Sequence, residues 1–301
     1  MAASYRLMGV LNVTPDSFSD GGRFLDADAA IARARELVAQ GAEILDVGGE
    51  STRPGAEPVP AEEELRRVLP VLEGIAAADL ALVDGARAQV SIDTSKAAVA
   101  RAAIAAGASI VNDVTALRGD PEMVGLVADS GVQCCLMHML GEPRTMQSGA
   151  DGVGGVGGPR YKDVVDEVRA FLEERLDFAV RAGVREELVL LDPGIGFGKT
   201  VAHNLELLDR LGELTELGRP LVVGTSRKRF IGRILADAAG EAEPVDVARR
   251  LPGTIATNVL ALERGASVFR VHDVAAVGDA LAVAAATLGG RWTARGMTQT
   301  S

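Results

Sequence analysis

Cysteine is nearly absent from the 301 residues. The two present, Cys134 and Cys135, are adjacent and cannot staple a fold, which points to a reducing cytoplasm. Aromatic residues make up 3%, too few for the platforms on which single-stranded nucleic acid stacks. Basic charge is in deficit: 31 Lys and Arg stand against 42 Asp and Glu, a net charge of −11. That balance argues against nucleic acid or an anionic membrane as a partner, while leaving room for a local basic pocket. No apolar run approaches the ~20 residues of a membrane helix; Cys134-Cys135-Leu136-Met137 is typical. Met1 to Arg6 show no charged segment followed by an apolar one, so secretion is not expected. The histidines His138, His203 and His272 show neither HxxxH nor HExxH spacing, which disfavours zinc. With 48% hydrophobic residues, the chain has ample material for one large core. An enzyme or a ligand-binding protein remains.

A phrase recurs along the chain. Gly41-Ala42-Glu43-Ile44-Leu45-Asp46 is echoed at Gly107-Ala108-Ser109-Ile110-Val111-Asn112, at Gly131-Val132-Gln133-Cys134-Cys135-Leu136 and at Gly265-Ala266-Ser267-Val268-Phe269-Arg270. Each reads as a glycine ending a helix, a short turn, then a buried strand with a polar end. Strands are predicted near 6–12, 43–47, 89–93, 109–113, 133–138, 188–192, 220–224 and 267–272. Helices are predicted near 27–40, 61–77, 96–106, 120–130, 161–182, 202–211, 245–264 and 274–287. Eight βα units in about 290 residues give an α/β fold, a (β/α)8 TIM barrel, with an open doubly wound sheet as the rival. No linker divides the chain, so residues 1–301 are read as a single domain with frayed ends at 1–5 and 291–301.

Two glycine motifs are decoys. Gly152-Val153-Gly154-Gly155-Val156-Gly157 matches GxGxxG but lacks a flanking strand and helix, and reads as a flexible loop. Gly194-Ile195-Gly196-Phe197-Gly198-Lys199-Thr200 would need glycine at 193 for a phosphate loop, where Pro193 stands. The chemistry of a barrel gathers where its strands end. Those ends are Asn12, Asp46 with Glu50, Asp93, Asn112, Asp113, His138, Asp192, Ser226 with Lys228, and Arg270 with His272 and Asp273. Helix capping explains individual aspartates but not a ring of polar positions that includes Arg and Lys. His138 is expected to be a hydrogen-bonded strand-end residue and His203 an exposed helical one. Long loops over 12–22 and 51–56 read as lids on this face.

The stretches Met8–Gly22, Asp46–Gly55, Ser91–Thr94, Val111–Val114, Leu136–Met139, Leu191–Lys199, Ser226–Lys228 and Arg270–Asp273 resemble, in order, the dihydropteroate synthase family of the folate pathway, the target of sulfonamides. They span nearly the whole chain. The resemblance implies a (β/α)8 barrel and a transferase that joins 6-hydroxymethyl-7,8-dihydropterin diphosphate to 4-aminobenzoate with loss of diphosphate, by a dissociative route. It implies that Asp192 meets the paired N–H donors of the pterin, Asn112 its mixed ring nitrogens and Lys228 its acceptors. Arg270 is implied to stack on the pterin face, with Asp93 stabilising developing positive charge. Arg53, Thr52 and His272 are implied to hold the diphosphate, with Asn12 at Mg2+. Pro54, Phe197, Ser226 and Lys228 are implied to wall the aminobenzoate site. Arg53, Asp93, Lys228 and His272 thus stand as the catalytic set. The segments 149–159 and 79–89 look longer than is usual for the family.

A methyltetrahydrofolate-binding methyltransferase barrel shares the pterin-pocket residue types, but it has no need of Arg53 or of the Ser226-Arg227-Lys228 wall. A non-catalytic paralogue would be expected to lack some of Asn12, Thr52, Arg53 and His272. Family membership further implies a homodimer, to which the alanine-rich late helices would lend a face.

Overall fold

A computed structural model describes residues 5–14, 25–52, 56–141, 146 and 158–289. Eight parallel strands run β1 (Arg6–Asn12), β2 (Ile44–Gly48), β3 (Gln89–Asp93), β4 (Ile110–Asp113), β5 (Gln133–Met137), β6 (Val189–Asp192), β7 (Val222–Val223) and β8 (Val268–Val271). Hydrogen bonds order them β6-β5-β4-β3-β2-β1-β8-β7. The ring closes between β6 and β7 through a parallel bridge, Leu191 to Leu221, where the Leu191 N–H donates to Pro220 O at 3.0 Å. Pairing of β1 with β8 together with that bridge excludes the open doubly wound sheet.

The helices are α1 (Leu25–Ala39), α2 (Ala61–Ala78), α3 (Ala97–Ala105), α4 (Met123–Ser130), α5 (Val164–Arg181), α6 (Val201–Asp209), α7 (Arg229–Ala239), α8 (Leu251–Glu263) and α9 (Val274–Gly289). The glycines of the repeated phrase do the work expected of them. Gly41, Gly107, Gly131 and Gly265 have φ of 104°, 107°, 65° and 97°, backbone that side-chain-bearing residues adopt with strain.

Side-chain alternation divides the core in two. Met8, Ile44, Ile110, Cys135, Leu190, Val222 and Val268 fill the barrel interior. Their neighbours Leu7, Leu45, Val111, Cys134, Leu191, Val223 and Phe269 face outward into the layer between sheet and helices. Both cysteines are buried free thiols, each pushed up by burial, Cys134 to about 12.

Four expectations need correction. Among the described residues α7 makes a ninth helix, in a stretch expected to be loop. Its apolar positions 230, 231, 234 and 235 repeat at helical spacing and Gly240 ends it at φ 71°, but Gly232 weakens the pattern. That glycine is needed: a Cβ there would lie 2.7 Å from Arg250 Nε on the segment entering α8. α8 itself starts at Leu251 rather than 245, after a 3-10 turn over Val247–Arg250. β7 has two residues rather than the five expected. Tyr5, expected in a frayed end, stacks edge-on to Phe269 with centroids 6.2 Å apart. Residues 1–4 and 290–301, and the GxGxxG segment at 152–157, lie outside the described residues.

Candidate active site

Strand parity decides which strand-end residues face the barrel mouth. On β2 the inward set is Ile44, Asp46, Gly48; on β3 it is Gln89, Ser91, Asp93. Asp46 pairs in register with Ser91, and Gly48 with Asp93. Asn112, Asp192 and Arg270 share this inward parity on β4, β6 and β8. Arg270 ties the floor together: its Nε donates to Asp46 Oδ2 at 2.6 Å and its Nη2 to Asp93 Oδ2 at 2.7 Å. Asn112 Nδ2 donates to the same Asp46 oxygen at 3.2 Å. Asp46 is wholly buried and Asp93 nearly so.

This crowding of charge in a dry place shifts protonation. Burial pushes the Asp93 carboxyl up to about 7, against the pull of Arg270 and with help from Asp46. Burial opposes the charge of Arg270, yet Asp46 and Asp93 hold its proton more firmly than usual. Burial also raises Asp192 and lowers Lys228, the latter to about 7 although Asp192 favours its charge. Two groups of opposite charge type thus both titrate near neutrality, a trait of reactive sites.

The second wall is the β6–α6 loop. Gly194, Gly196 and Gly198 have φ of 66°, 83° and 61°, and each lies where a Cβ has no room: against His138 O, Lys228 Cδ and Leu140 O respectively. The loop therefore threads between the β5 end and Lys228. Asp192 Oδ1 caps it by accepting from Gly194 N–H at 2.6 Å, which leaves Oδ2 for a ligand. Lys228 donates to Ile195 O, and its Nζ lies 4.4 Å from the centroid of the Phe197 ring. Phe197 packs on Val114, Met137, Met139 and Met146, which makes a flat apolar wall beside an amine.

The third wall joins β7 to β8. Ser226 Oγ lies 2.9 Å from His272 Nδ1 and accepts from the His272 N–H at 3.2 Å. Asn12, at the end of β1, is half-buried on the same face, as is Thr52 after β2. Arg53 and Pro54 lie outside the described residues, as do 15–22 of the first lid. Among the described residues no group of three or more His, Cys, Asp or Glu is placed to hold a metal ion.

Several members of the expected ring belong elsewhere. Asp113 has outward parity and caps its own loop, accepting from the N–H groups of Thr115 and Leu117 at 2.8 Å each. Glu50 is taken up by Lys96 at 2.5 Å and accepts from Val59 N–H at 2.9 Å. Asp273 pairs with Arg227. His138 is hydrogen-bonded as expected, with Nδ1 2.8 Å from Lys199 Nζ; burial and Lys199 push it down to about 2. Lys199, 2% exposed, points into the protein, which also disposes of the near-match to a phosphate loop. His203 is half-buried, not exposed: it caps α6 with Thr200 and stacks on Tyr161 with centroids 4.9 Å apart. Missed on sequence is Ser91, whose buried hydroxyl has no hydrogen-bond partner among the described residues, like Asp46 Oδ1. Their shared inward parity with Asp93 and register with one another was the available signal.

A closed barrel whose C-terminal mouth holds buried carboxylates, an amide, an amine and a flat apolar wall defines an enzyme for a planar, hydrogen-bonding heterocycle. The chain belongs to the pterin binding enzyme family, whose pattern matches residues 8–272. It is 47% identical to the dihydropteroate synthase of Mycobacterium leprae over 95% of this chain and 94% of that one. Among solved structures, Xanthomonas albilineans dihydropteroate synthase with 4-aminobenzoic acid superposes with TM-score 0.81 at 46% identity, covering 94% and 93% of the two chains. The same enzyme in complex with 7,8-dihydropteroate gives TM-score 0.78 at 43% identity, covering 95% of each chain.

Proposed function

We propose that this chain condenses 6-hydroxymethyl-7,8-dihydropterin diphosphate with 4-aminobenzoate to give 7,8-dihydropteroate and diphosphate. The observation that carries the reading is the inward-facing set Asp93, Asn112, Asp192 and Arg270, joined by Lys228 at one barrel mouth. Asp192 Oδ2 offers an acceptor to the N–H pair of a pterin, and Asn112 a donor and an acceptor to its ring. Arg270, braced by Asp46 and Asp93, presents its guanidinium to the heterocycle's face. Lys228 stands between that position and the Phe197 wall, where the two substrates would meet.

The C–O bond to the diphosphate breaks and its electron pair leaves with the diphosphate. Asp93 opposes the positive charge left on the pterin methylene, which the aminobenzoate nitrogen then attacks, losing a proton. Arg53, Thr52 and His272 take the leaving group, and Pro54, Phe197, Lys228 and Ser226 hold the aminobenzoate. Mg2+ is the fitting ion for the diphosphate, because it needs few protein oxygens when phosphate and water supply the rest. The Asn12 carboxamide is the hard oxygen donor this chain would contribute. When bound, the ion neutralises charge on the leaving group.

The buried free thiols favour a reducing, cytoplasmic setting. Among the described residues no helix is long and apolar enough to cross a membrane. Exposed Val283 and Leu288 on α9 support a homodimer with a late-helix face. The decisive experiment is an assay of diphosphate release: release from the pterin diphosphate that depends on added 4-aminobenzoate supports the reading, and none under any condition overturns it.

A further inference from the structure

β7 is the weak point of the barrel. Its ladder with β8 ends at Val223 and Phe269, and its link to β6 is a lone bridge. Ser226 and Lys228 lie beyond that ladder, so sheet hydrogen bonds do not hold them. Other contacts do. Thr225 Oγ1 accepts from Thr257 Oγ1 at 2.8 Å and from Asn258 Nδ2 at 3.0 Å, both on α8. Between Ser226 and Lys228 stands Arg227, with φ of 59°, a left-handed conformation in which an arginine is strained. Such a residue persists where its surroundings over-determine it, and these do. Its N–H donates to Thr254 Oγ1 at 3.0 Å, and its carbonyl accepts from Arg250 Nη1 at 3.0 Å. Its guanidinium takes the Asp273 carboxylate in a two-pronged grip, Nε to Oδ2 at 2.8 Å and Nη2 to Oδ1.

Asp273 follows His272 and starts α9, its carbonyl accepting from Val277 N–H at 3.1 Å. The grip therefore brackets the contact between Ser226 Oγ and His272 Nδ1, which lies one residue earlier in each of the two loops. Arg227 is an exposed side chain and Asp273 a half-buried one, so as an ion pair they add little stability. What the pair does is geometric. We propose that Arg227 and Asp273 form a clamp across the β7 and β8 loops that positions Ser226 and His272 for the aminobenzoate and the leaving group. This rests on the reaction proposed above. The pterin-side residues Asp93, Asn112 and Asp192 are fixed by their own strands, and Lys228 by Ile195 O, so the clamp bears on the aminobenzoate and the departing diphosphate rather than on the pterin ring.

The test uses Arg227→Gly, Asp273→Asn and the double variant, in diphosphate-release kinetics with each substrate varied in turn and thermal unfolding alongside. Glycine relieves the strain while removing the grip, which separates positioning from folding. Each single variant should lose roughly ten- to a hundredfold in kcat/KM for aminobenzoate, the scale of a misplacement of about 1 Å. Affinity for 6-hydroxymethyl-7,8-dihydropterin, which lacks the diphosphate, should move by less than about threefold, and Tm by less than about 3 °C, as expected of an exposed pair. The double variant should be no worse than the poorer single one, because the two act as a unit. Wild-type kinetics in either single variant, additive losses in the double, or losses of activity that merely track Tm would each overturn the clamp. A wild-type enzyme without aminobenzoate-dependent release would instead overturn the reaction, a result distinct from active wild type with unaffected variants.

Discussion

Arg270→Met leaves two carboxylates in the barrel without the cation that reaches both. The bonds lost are Nε to Asp46 Oδ2 at 2.6 Å and Nη2 to Asp93 Oδ2 at 2.7 Å. Both acceptors are at most 7% exposed, so water cannot take over. Removing one partner from a buried ion pair costs about 3–5 kcal/mol, and that is the destabilisation expected above pH 7. The cost should depend on pH, with a sign the structure dictates. Asp93 titrates near 7 in the folded protein against an ordinary 3.8. A carboxyl raised in this way binds protons in the folded state that the unfolded state has released. Stability therefore falls as pH climbs from about 4, and in the wild type the fall stops near 7. Without Arg270 the Asp93 carboxyl rises further, so in the variant the fall continues. The difference between wild type and variant should be flat below about pH 6 and should grow by about 1.4 kcal/mol per pH unit above 7, until the variant's own Asp93 titrates. Urea unfolding of both proteins at pH 5.5, 7 and 8.5, roughly bracketing that window, reads this directly. A difference that is the same at all three, or largest at the acid end, would refute the argument that Arg270 is there to keep Asp93 charged.

Four further outcomes are expected. Asp192→Asn replaces one acceptor by a donor opposite the pterin's N–H pair and should cost ~2–4 kcal/mol of pterin affinity by calorimetry; unchanged affinity would remove Asp192 from the pterin site. Aminobenzoate should bind the free enzyme poorly and gain affinity when pterin, Mg2+ and diphosphate are present, because those ligands complete its pocket; equal titrations with and without them contradict that order. The pH profile of kcat/KM should be a narrow bell near neutrality, since Asp93 must be ionised, which needs pH above about 7, and Lys228 protonated, which needs pH below about 7; a plateau across the whole range counts against their joint role. Arg53→Lys keeps the charge but loses the planar fork, so kcat should fall roughly ten- to a thousandfold with a smaller change in pterin affinity; a rise in the pterin dissociation constant alone would assign Arg53 to ground-state binding.

What was legible in the chain itself was local. Gly41, Gly107, Gly131 and Gly265 mark the ends of helices because the backbone leaves each helix through positive φ there, and the strand follows within a few residues. Counting those units yields the barrel, and the polar residue closing each strand yields most of the site, including Asp93, Asn112, Asp192 and Arg270. The motifs also carry the family. The helix at Arg229–Ala239 had its apolar spacing and its terminal glycine in the sequence, but an interior glycine and the site residues before it disguised it as loop.

The tertiary structure decided what depends on residues far apart in the chain. Asp46 and Arg270 are 224 residues apart and Asp93 and Arg270 177, and no local pattern states that one guanidinium serves both carboxylates. Whether an end residue faces the mouth follows from strand register, which sends Asp46 and Ser91 inward and Asp113 outward to cap a turn. Lys199 closes a motif that Pro193 already disqualifies as a phosphate loop, and only the tertiary structure shows it turned into the protein onto His138, beside three glycines that have no room for a Cβ. That β7 spans two residues, with Ser226 and Lys228 beyond its ladder, also emerged only from the closed ring. Burial, register and closure are properties of the whole barrel, and they set the charges that the chemistry uses.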